Sequence, residues 1–245
     1  MESLEGRESI LAALLACQRR FQLILLAHGA HRERFADVLA LAAQRNIPVK
    51  QVARKELDAL AHGATHGGIV AIVSARTRLK AADLPSIFPQ LSPPPLLLLL
   101  EGIDDARNLG FTLRSAEAMG ACAVLVKKHL WDFDPVEVAR PSSGAYERLP
   151  LVQLDDIKPL EDLKRQGLRL FGCVAGAKRT IFDADFTGGT IIAIGGEKRG
   201  LSSAVRQLCD RRLSIPTARP ETSLSLSHAA AIVLAEAARQ RRGKT

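Results

Sequence analysis

Apolar positions along the chain recur with two different periods. From Ser9 to Cys17 they follow helical spacing, whereas Phe21 to Ala27 is a short apolar run of strand length that ends at His28-Gly29. Helical spacing returns from Phe35 to Arg45, residues 49 to 52 alternate, and Lys55 to Leu60 predicts another helical turn or two. After the turns at His62 and at His66-Gly67-Gly68, the β-branched run Ile69-Val70-Ala71-Ile72-Val73 predicts a strand. These elements make an αβαβαβ unit, taken as a first domain over residues 1–73. Residues 74–95 break the rhythm. Prolines at 85, 89 and 93–95 oppose a continuous helix or central strand, so this stretch is assigned as a linker.

From Leu96 onward, strands and helices alternate to the end. Strands are predicted at 96–100, 123–126, 170–174, 190–194 and 213–215. Helices are predicted at 109–119, 160–166, 202–209 and, longest, 225–241. Such alternation implies an α/β domain over 96–245, with a mostly parallel sheet covered on both faces. Ligands of such sheets sit beyond the carboxyl ends of the strands, which directs attention to the loops there.

Composition narrows the class. With 47% hydrophobic and 24% charged residues among 245, the chain has a globular protein's makeup and is neither disordered nor a coiled coil. The longest apolar run, Leu96 to Leu100, is far short of the roughly 18 residues a membrane span needs. The acidic start, Met1 to Glu5, is not followed by a signal-type apolar region, so the expected location is the cytoplasm. Cys17, Cys122, Cys173 and Cys209 are scattered without zinc-like spacing and read as buried thiols. A net charge of +8 favours a polyanionic partner.

Three loops carry candidate chemistry. The first, after strand 96–100, holds Glu101-Gly-Ile, Asn108-Leu-Gly and Arg114-Ser-Ala. Asn108 is placed where a helix N-cap belongs, with Arg114 on the second turn, and a purely structural reading is available for both. Asp104 and Asp105 are read as a solvated turn and not as a metal site. The second loop, Gly195-Gly196-Glu197-Lys198-Arg199-Gly200-Leu201-Ser202, allows close backbone approach but is neither a dinucleotide nor a nucleoside-triphosphate fingerprint. The third joins Ile215-Pro216 to Ser223-Leu224-Ser225-Leu226-Ser227-His228, whose serines can equally be capping groups.

In this order and spacing, the three segments resemble the three signature motifs of the SpoU (TrmH) family of RNA ribose 2′-O-methyltransferases. The resemblance spans about residues 96–242 and includes Val138-Ala-Arg-Pro-Ser-Ser-Gly-Ala145 between the first two motifs. More loosely, Gly6 to Leu15 and His66 to Ala71 resemble the small L30e-like substrate-binding domain that precedes many such methylases. His66 is read as a turn histidine in preference to an RNA contact.

The resemblance implies S-adenosylmethionine as methyl donor, a trefoil knot in the C-terminal part, and a homodimer with the active site at its interface. The partner it implies is RNA, rRNA before tRNA, and not DNA. Matched to the motifs, Gly195, Ile215 and Leu224 are expected at the cofactor. Arg114 is expected to act on the ribose hydroxyl, with Asn108 fixing the loop, Glu197 orienting Arg114 and Ser223 hydrogen-bonding around the site. A guanidinium is always protonated, so the Arg114 role is electrostatic and not that of a base. One position departs from the pattern: Ser225 stands where the family usually has asparagine, with His228 a candidate to make up the lost reach. That departure motivates a second reading, an RNA- or ribosome-binding protein that keeps the methylase fold with weak or no activity. Lys198, Arg199 and the run Arg239 to Lys244 are either phosphate contacts or solvated charge. Eight Phe, Trp131 and Tyr146 form no aromatic RNA-reading motif.

Overall fold

The computed structural model describes residues 1–62, 66–88, 93–127, 132–219 and 223–242; Pro89, Trp131 and Lys244 lie outside the described residues. The chain divides into two compact units, Met1–Thr77 with Asp134–Arg148, and Arg78–Phe133 with Leu149–Thr245.

The first unit begins with β1 (Glu2–Glu5), α1 (Arg7–Ala16), β2 (Phe21–Ala27), α2 (Ala36–Gln44), β3 (Val49–Val52), α3 (Arg54–Leu60) and β4 (Ile69–Val73). Its sheet runs β1-β4-β2-β3, with β2 and β3 parallel and β4 antiparallel to both β1 and β2. β1 is an addition to the sequence expectation. Glu-Ser-Leu-Glu has a single apolar side chain, so nothing local marks it as a strand. Pairing with β4 supplies its backbone partners, and the buried Glu5 carboxylate accepts the His62 backbone N–H at 2.7 Å. His66 is fully buried. Its Nδ1 accepts the Gly68 N–H at 3.0 Å and its Nε2 meets Asp58 at 2.9 Å, which bears out the turn reading. Cys17 departs from the buried-thiol expectation: it is exposed at the C-terminus of α1 with φ 56°.

The second unit opens inside the proline-rich stretch. β5 (Leu79–Lys80) pairs with a later strand, and in the single turn α4 (Leu84–Ile87), with Pro85 in its first turn, Leu84 is buried in the core. Proline is tolerated there because a first-turn N–H has no helical partner to lose. Much of 74–95 is therefore packed structure and not open linker. β6 (Leu96–Glu101), α5 (Ala106–Ala118) and β7 (Ala123–Lys127) follow. The chain then contributes α6 (Pro135–Ser142) and α7 (Ala145–Arg148) to the first unit, although the sequence reading left them in the C-terminal domain. Here the buried Glu147 carboxylate takes two hydrogen bonds from the buried Arg19 guanidinium, at 2.7 and 2.9 Å, and Arg19 also reaches Glu2 at 2.6 Å. Burial works against the Arg19 charge, and the Glu147 and Glu2 carboxylates together more than offset it, leaving its pKa raised.

The second unit resumes with β8 (Leu151–Leu154), α8 (Lys158–Arg165), β9 (Arg169–Cys173), β10 (Arg179–Thr180), β11 (Thr190–Gly195), α9 (Ser203–Leu208), β12 (Arg211–Ser214) and α10 (Leu226–Arg242). Its eight strands pair in the order β10-β12-β9-β11-β6-β7-β8-β5, and every pairing is parallel. All six β6 residues are buried, as a central strand covered on both faces requires. Leu97 and Leu99 join one core cluster with Leu160, Leu163 and Val205, while α5 and α10 pack against each other and α10 also packs on β11. Each fully buried leucine contributes about 1.5–3 kcal/mol. The register brings the carboxyl ends of β6 and β11 to one level, with Glu101 opposite Gly195. On the far side of β11, β9 and β12 end nearby, with Cys173 opposite both Ile194 and Leu213.

Candidate active site

All three predicted loops leave the sheet at this one edge. The first leaves β6 through Glu101, whose buried carboxylate accepts the Ser202 N–H at 2.8 Å and pairs with the Ser202 hydroxyl at 3.1 Å. Ser202 in turn caps α9, so Glu101 ties the first loop to the end of the second. Sequence reasoning gave Glu101 no role; its one local signal is a carboxylate closing a run of five leucines.

The glycines hold these loops in near contact. A Cβ on Gly196 would lie 1.9 Å from the Gly102 carbonyl oxygen, and one on Gly195 would lie 2.1 Å from the Gly200 carbonyl carbon. The Gly200 N–H donates to the Gly196 carbonyl at 2.8 Å, closing a tight turn around Glu197, Lys198 and Arg199. Lys198 pairs with Asp104 at 3.3 Å, both well exposed, and Arg199 is exposed.

Asn108 is not the N-cap expected from sequence. Asp105 caps α5 by accepting the Asn108 backbone N–H at 2.7 Å, so Asn108 sits inside the first turn. That releases its side chain for the third loop, and the Ser227 hydroxyl donates to Asn108 Oδ1 at 3.1 Å. Ser227 Oγ lies 3.1 Å from Ser225 Oγ, which lies 2.6 Å from His228 Nδ1. One proton assignment satisfies the whole chain: His228 donates to Ser225, Ser225 to Ser227, and Ser227 to Asn108. Ser225 also accepts, weakly, the His228 backbone N–H at 3.4 Å. The departure at Ser225 is thus absorbed locally, with His228 as its partner.

Glu197 does not pair with Arg114. Its Oε1 accepts the Leu226 N–H at 3.3 Å, at the start of α10, where a carboxylate complements the helix dipole. Arg114 is exposed on α5 and has no hydrogen bond or ion pair among the described residues. Arg114 is six residues beyond Asn108, which turns it to a different helix face; Phe111, also exposed, shares the Arg114 face.

A cavity of about 700 Å³ opens at this edge. Gly195, Glu197, Ile215, Ser223 and Leu224 all line it. A smaller cleft of about 100 Å³ shares Gly196, Glu197 and Leu226 with it and brings in Asn108 and Asp104. Arg114 lines neither. Sequence reasoning did not place Cys173, Arg199 or Arg206 on the large cavity, which all three line. Burial pushes the Cys173 thiol up to about 12 and the neighbouring Cys209 up to about 11, so both stay protonated at neutral pH. Among the described residues no group of three or more His, Cys, Asp or Glu could hold a metal, and no helix is long and apolar enough to cross a membrane.

The cavity suits S-adenosylmethionine, whose site the resemblance places here. Its volume lies within the range of about 300–1,000 Å³ typical of small-molecule sites. Apolar Ile215, Leu213 and Leu224 offer walls to an adenosine and to the methylenes of the methionyl chain, and Glu197, Arg199 and Arg206 offer charge to the amino-acid end.

Comparison with known proteins gives the same answer over the whole chain. The model of the SpoU rRNA Methylase family matches residues 95–235, and that for RNA 2'-O ribose methyltransferase substrate binding matches residues 3–79. Among curated relatives, the 23S rRNA (guanosine-2'-O-)-methyltransferase RlmB of Pseudomonas putida is 35% identical over 245 residues, covering 100% of this chain and 98% of that one. RlmB of Pseudomonas syringae pv. tomato is 36% identical with the same coverage. Among solved structures, the SpoU methyltransferase AviRb of Streptomyces viridochromogenes superposes with a TM-score of 0.80 at 26% identity, covering 99% of this chain and 90% of that chain. Its complex with the cofactor AdoMet gives 0.77 at 27% identity, covering 98% and 90%. Three motif loops gathered at one sheet edge, and family matches covering both parts of the chain, make this protein a member of the SpoU rRNA methylase family.

Proposed function

We propose that this protein methylates a guanosine ribose 2′-hydroxyl in 23S rRNA, using S-adenosylmethionine, and that it does so as a homodimer. The observation that carries this reading is the full-length identity of about one third to enzymes named for that reaction, with the motif residues converging on a cavity suited to the donor. A ribosomal substrate puts the reaction in the cytoplasm, where ribosomes are assembled.

Bound S-adenosylmethionine supplies an electrophilic methyl on a sulfonium. Gly195, Ile215 and Leu224 would hold it, with Glu197, Arg199 and Arg206 at its polar end. The remaining task belongs to the chain: the 2′-oxygen must be aimed in line and its developing charge stabilised as the proton leaves. Arg114 offers a permanently charged fork for that oxygen or for a flanking phosphate. Asn108, fixed by Ser227, and Ser223 at the cavity offer orienting hydrogen bonds.

The dimer is supported by the position of Arg114. It lies outside its own chain's cavity, on an α5 face carrying Phe111 at 49% exposure, and α10 adds Ile232 at 39%. A second copy seated on these apolar side chains would desolvate them and bring Arg114 to an active site at the interface. The knot implied by the family resemblance belongs with the same reading. The substrate-binding match over residues 3–79 supports rRNA capture by the first unit.

The test is made in cells. A strain lacking the gene is expected to lose one 2′-O-methylguanosine from its 23S rRNA, and plasmid-borne wild type to restore it. An unchanged 23S rRNA nucleoside profile, or loss of a base-methylated nucleoside instead, contradicts the proposal.

A further inference from the structure

A second concavity of about 840 Å³ lies beside the donor cavity in the same unit, at the outer end of the sheet. It is framed by the loop after β9, by α9 and by β12, the strand next to the edge strand β10, and its lining includes Lys178, Arg179, Arg206, Arg211 and Arg212. All five cations are exposed, and none has a side-chain hydrogen bond or ion pair among the described residues. The single carboxylate of the lining, Asp210, is already committed: Lys164 pairs with it at 2.8 Å and the Leu170 N–H donates to it at 2.7 Å.

Five cations gathered around one carboxylate in the lining, with Asp183 near Arg179, repel one another on balance, so such a cluster in a concave surface needs an explanation. Guarding an exposed sheet edge is one. It suits Arg211 and Arg212, because β10 pairs only with Leu213 and Ser214 of β12 and leaves the start of that strand uncovered. It also suits Arg179, which opens the edge strand β10 itself, but it does not explain Lys178 in the loop before β10 or Arg206 on α9, which approach the same space from other elements.

We propose that this groove holds backbone phosphates of the RNA substrate, alongside the methyl donor; the identification of the anion as RNA rests on the function proposed above. Two features fit a nucleic-acid strand. The groove is open and carries five exposed cations, as phosphates require, and it is continuous with the large cavity, since Val174, Ala175, Gly176 and Arg206 line both. A strand lying in it therefore passes the mouth of the cavity where the methyl is delivered. Phosphate contacts of this kind fix register and orientation without reading sequence.

The test measures binding of full-length protein to an unmodified 23S rRNA transcript over a salt series. Two double variants, R211Q/R212Q and K178Q/R179Q, remove two groove charges each; K158Q/R165Q removes two exposed charges from α8 as a matched control. Each groove variant is expected to reduce the slope of log K against log salt by about 1.4–1.8, two released counterions' worth, and the control to leave it unchanged. The RNA KM should rise about tenfold or more, with kcat and S-adenosylmethionine affinity retained. Wild-type slopes in both groove variants, an equal fall in the control, or binding of inorganic phosphate by the groove with unaltered RNA slopes would each overturn the inference. Because the slope is read on binding, it decides the groove independently of turnover; failure of wild type to methylate any RNA would instead sink the proposed function.

Discussion

At the scale of single residues, the site depends on atoms that are absent as much as on those present. Gly196 faces the Gly102 carbonyl so closely that any side chain must push backbone against backbone. Gly196→Ala is expected to cost about 1–3 kcal/mol of stability through overpacking and to weaken S-adenosylmethionine binding at least tenfold. Thermal unfolding and calorimetric titration measure the two effects, and wild-type values in both would show that the loops are not held by this contact. Ser225 illustrates the opposite case, an unusual residue whose neighbourhood accommodates it. Its hydroxyl sits between His228 and Ser227, so the hydrogen-bond chain reaching Asn108 is complete without the customary amide.

At the scale of elements, legibility followed the strength of local patterning. Runs such as Leu96 to Leu100 and Ile69 to Val73 declare buried strands by themselves, and each was placed to within a residue or two. β1 and β5 exist because a neighbouring edge pairs with them, and Glu-Ser-Leu-Glu or Leu-Lys carries no such information. The candidate site was legible as a set of loops, because motif residues are local in sequence. Their partners were not: the bonds from Glu101 to Ser202 and from Ser227 to Asn108 span 101 and 119 residues. Asn108 was misassigned as a cap because Asp105, three residues earlier, is an equally good capping residue. The pair of helices after β7 shows the same limit, since the partner that holds the buried Glu147 by two hydrogen bonds is Arg19, far away in sequence. Glu147→Ala should therefore destabilise the first unit by about 3 kcal/mol, the cost of stranding a buried guanidinium, less what Glu2 recovers. Urea unfolding followed by hydrogen exchange would locate the loss; a change confined to the second unit would contradict the grouping of α7 with the first.

A pH dependence belongs to the same unit. The hydrogen bond to the Glu5 carboxylate raises the His62 pKa above its usual 6.5; desolvation opposes it, and the Asp134 and Glu5 charges add to the rise. The sign follows: the folded state holds the proton more tightly, so the stabilisation is fully present below about pH 6.5 and fades as pH rises through the folded value. Because His62 is half-exposed, solvent keeps the effect below about 1 kcal/mol. The Tm difference between wild type and His62→Asn should be larger at pH 5.5 than at pH 8.5, and a difference independent of pH would remove the proton linkage.

At the scale of the whole molecule, a charge of +8, a substrate-binding unit and a methylase unit fit one task, holding RNA while a small electrophile is delivered to it. The division of labour within the methylase unit is spatial. The large cavity gathers Gly195, Ile215 and Leu224, the residues proposed for the donor, whereas Arg114, the cation expected to act on the ribose, stands exposed on an outer helix face and does not line it. Arg114→Ala is accordingly expected to reduce turnover about 100-fold or more while leaving S-adenosylmethionine affinity at the wild-type value. Both quantities come into a single assay: transfer of labelled methyl from S-adenosylmethionine to unmodified 23S rRNA by wild type and Arg114→Ala, followed by alkaline hydrolysis. A 2′-O-methyl group protects the adjoining phosphodiester, so the expected result is wild-type label in alkali-resistant dinucleotides, nearly absent for the variant. Label released in mononucleotides, or no label on 23S rRNA from a wild-type protein that binds the donor, would contradict ribose 2′-O-methylation as the activity of this fold.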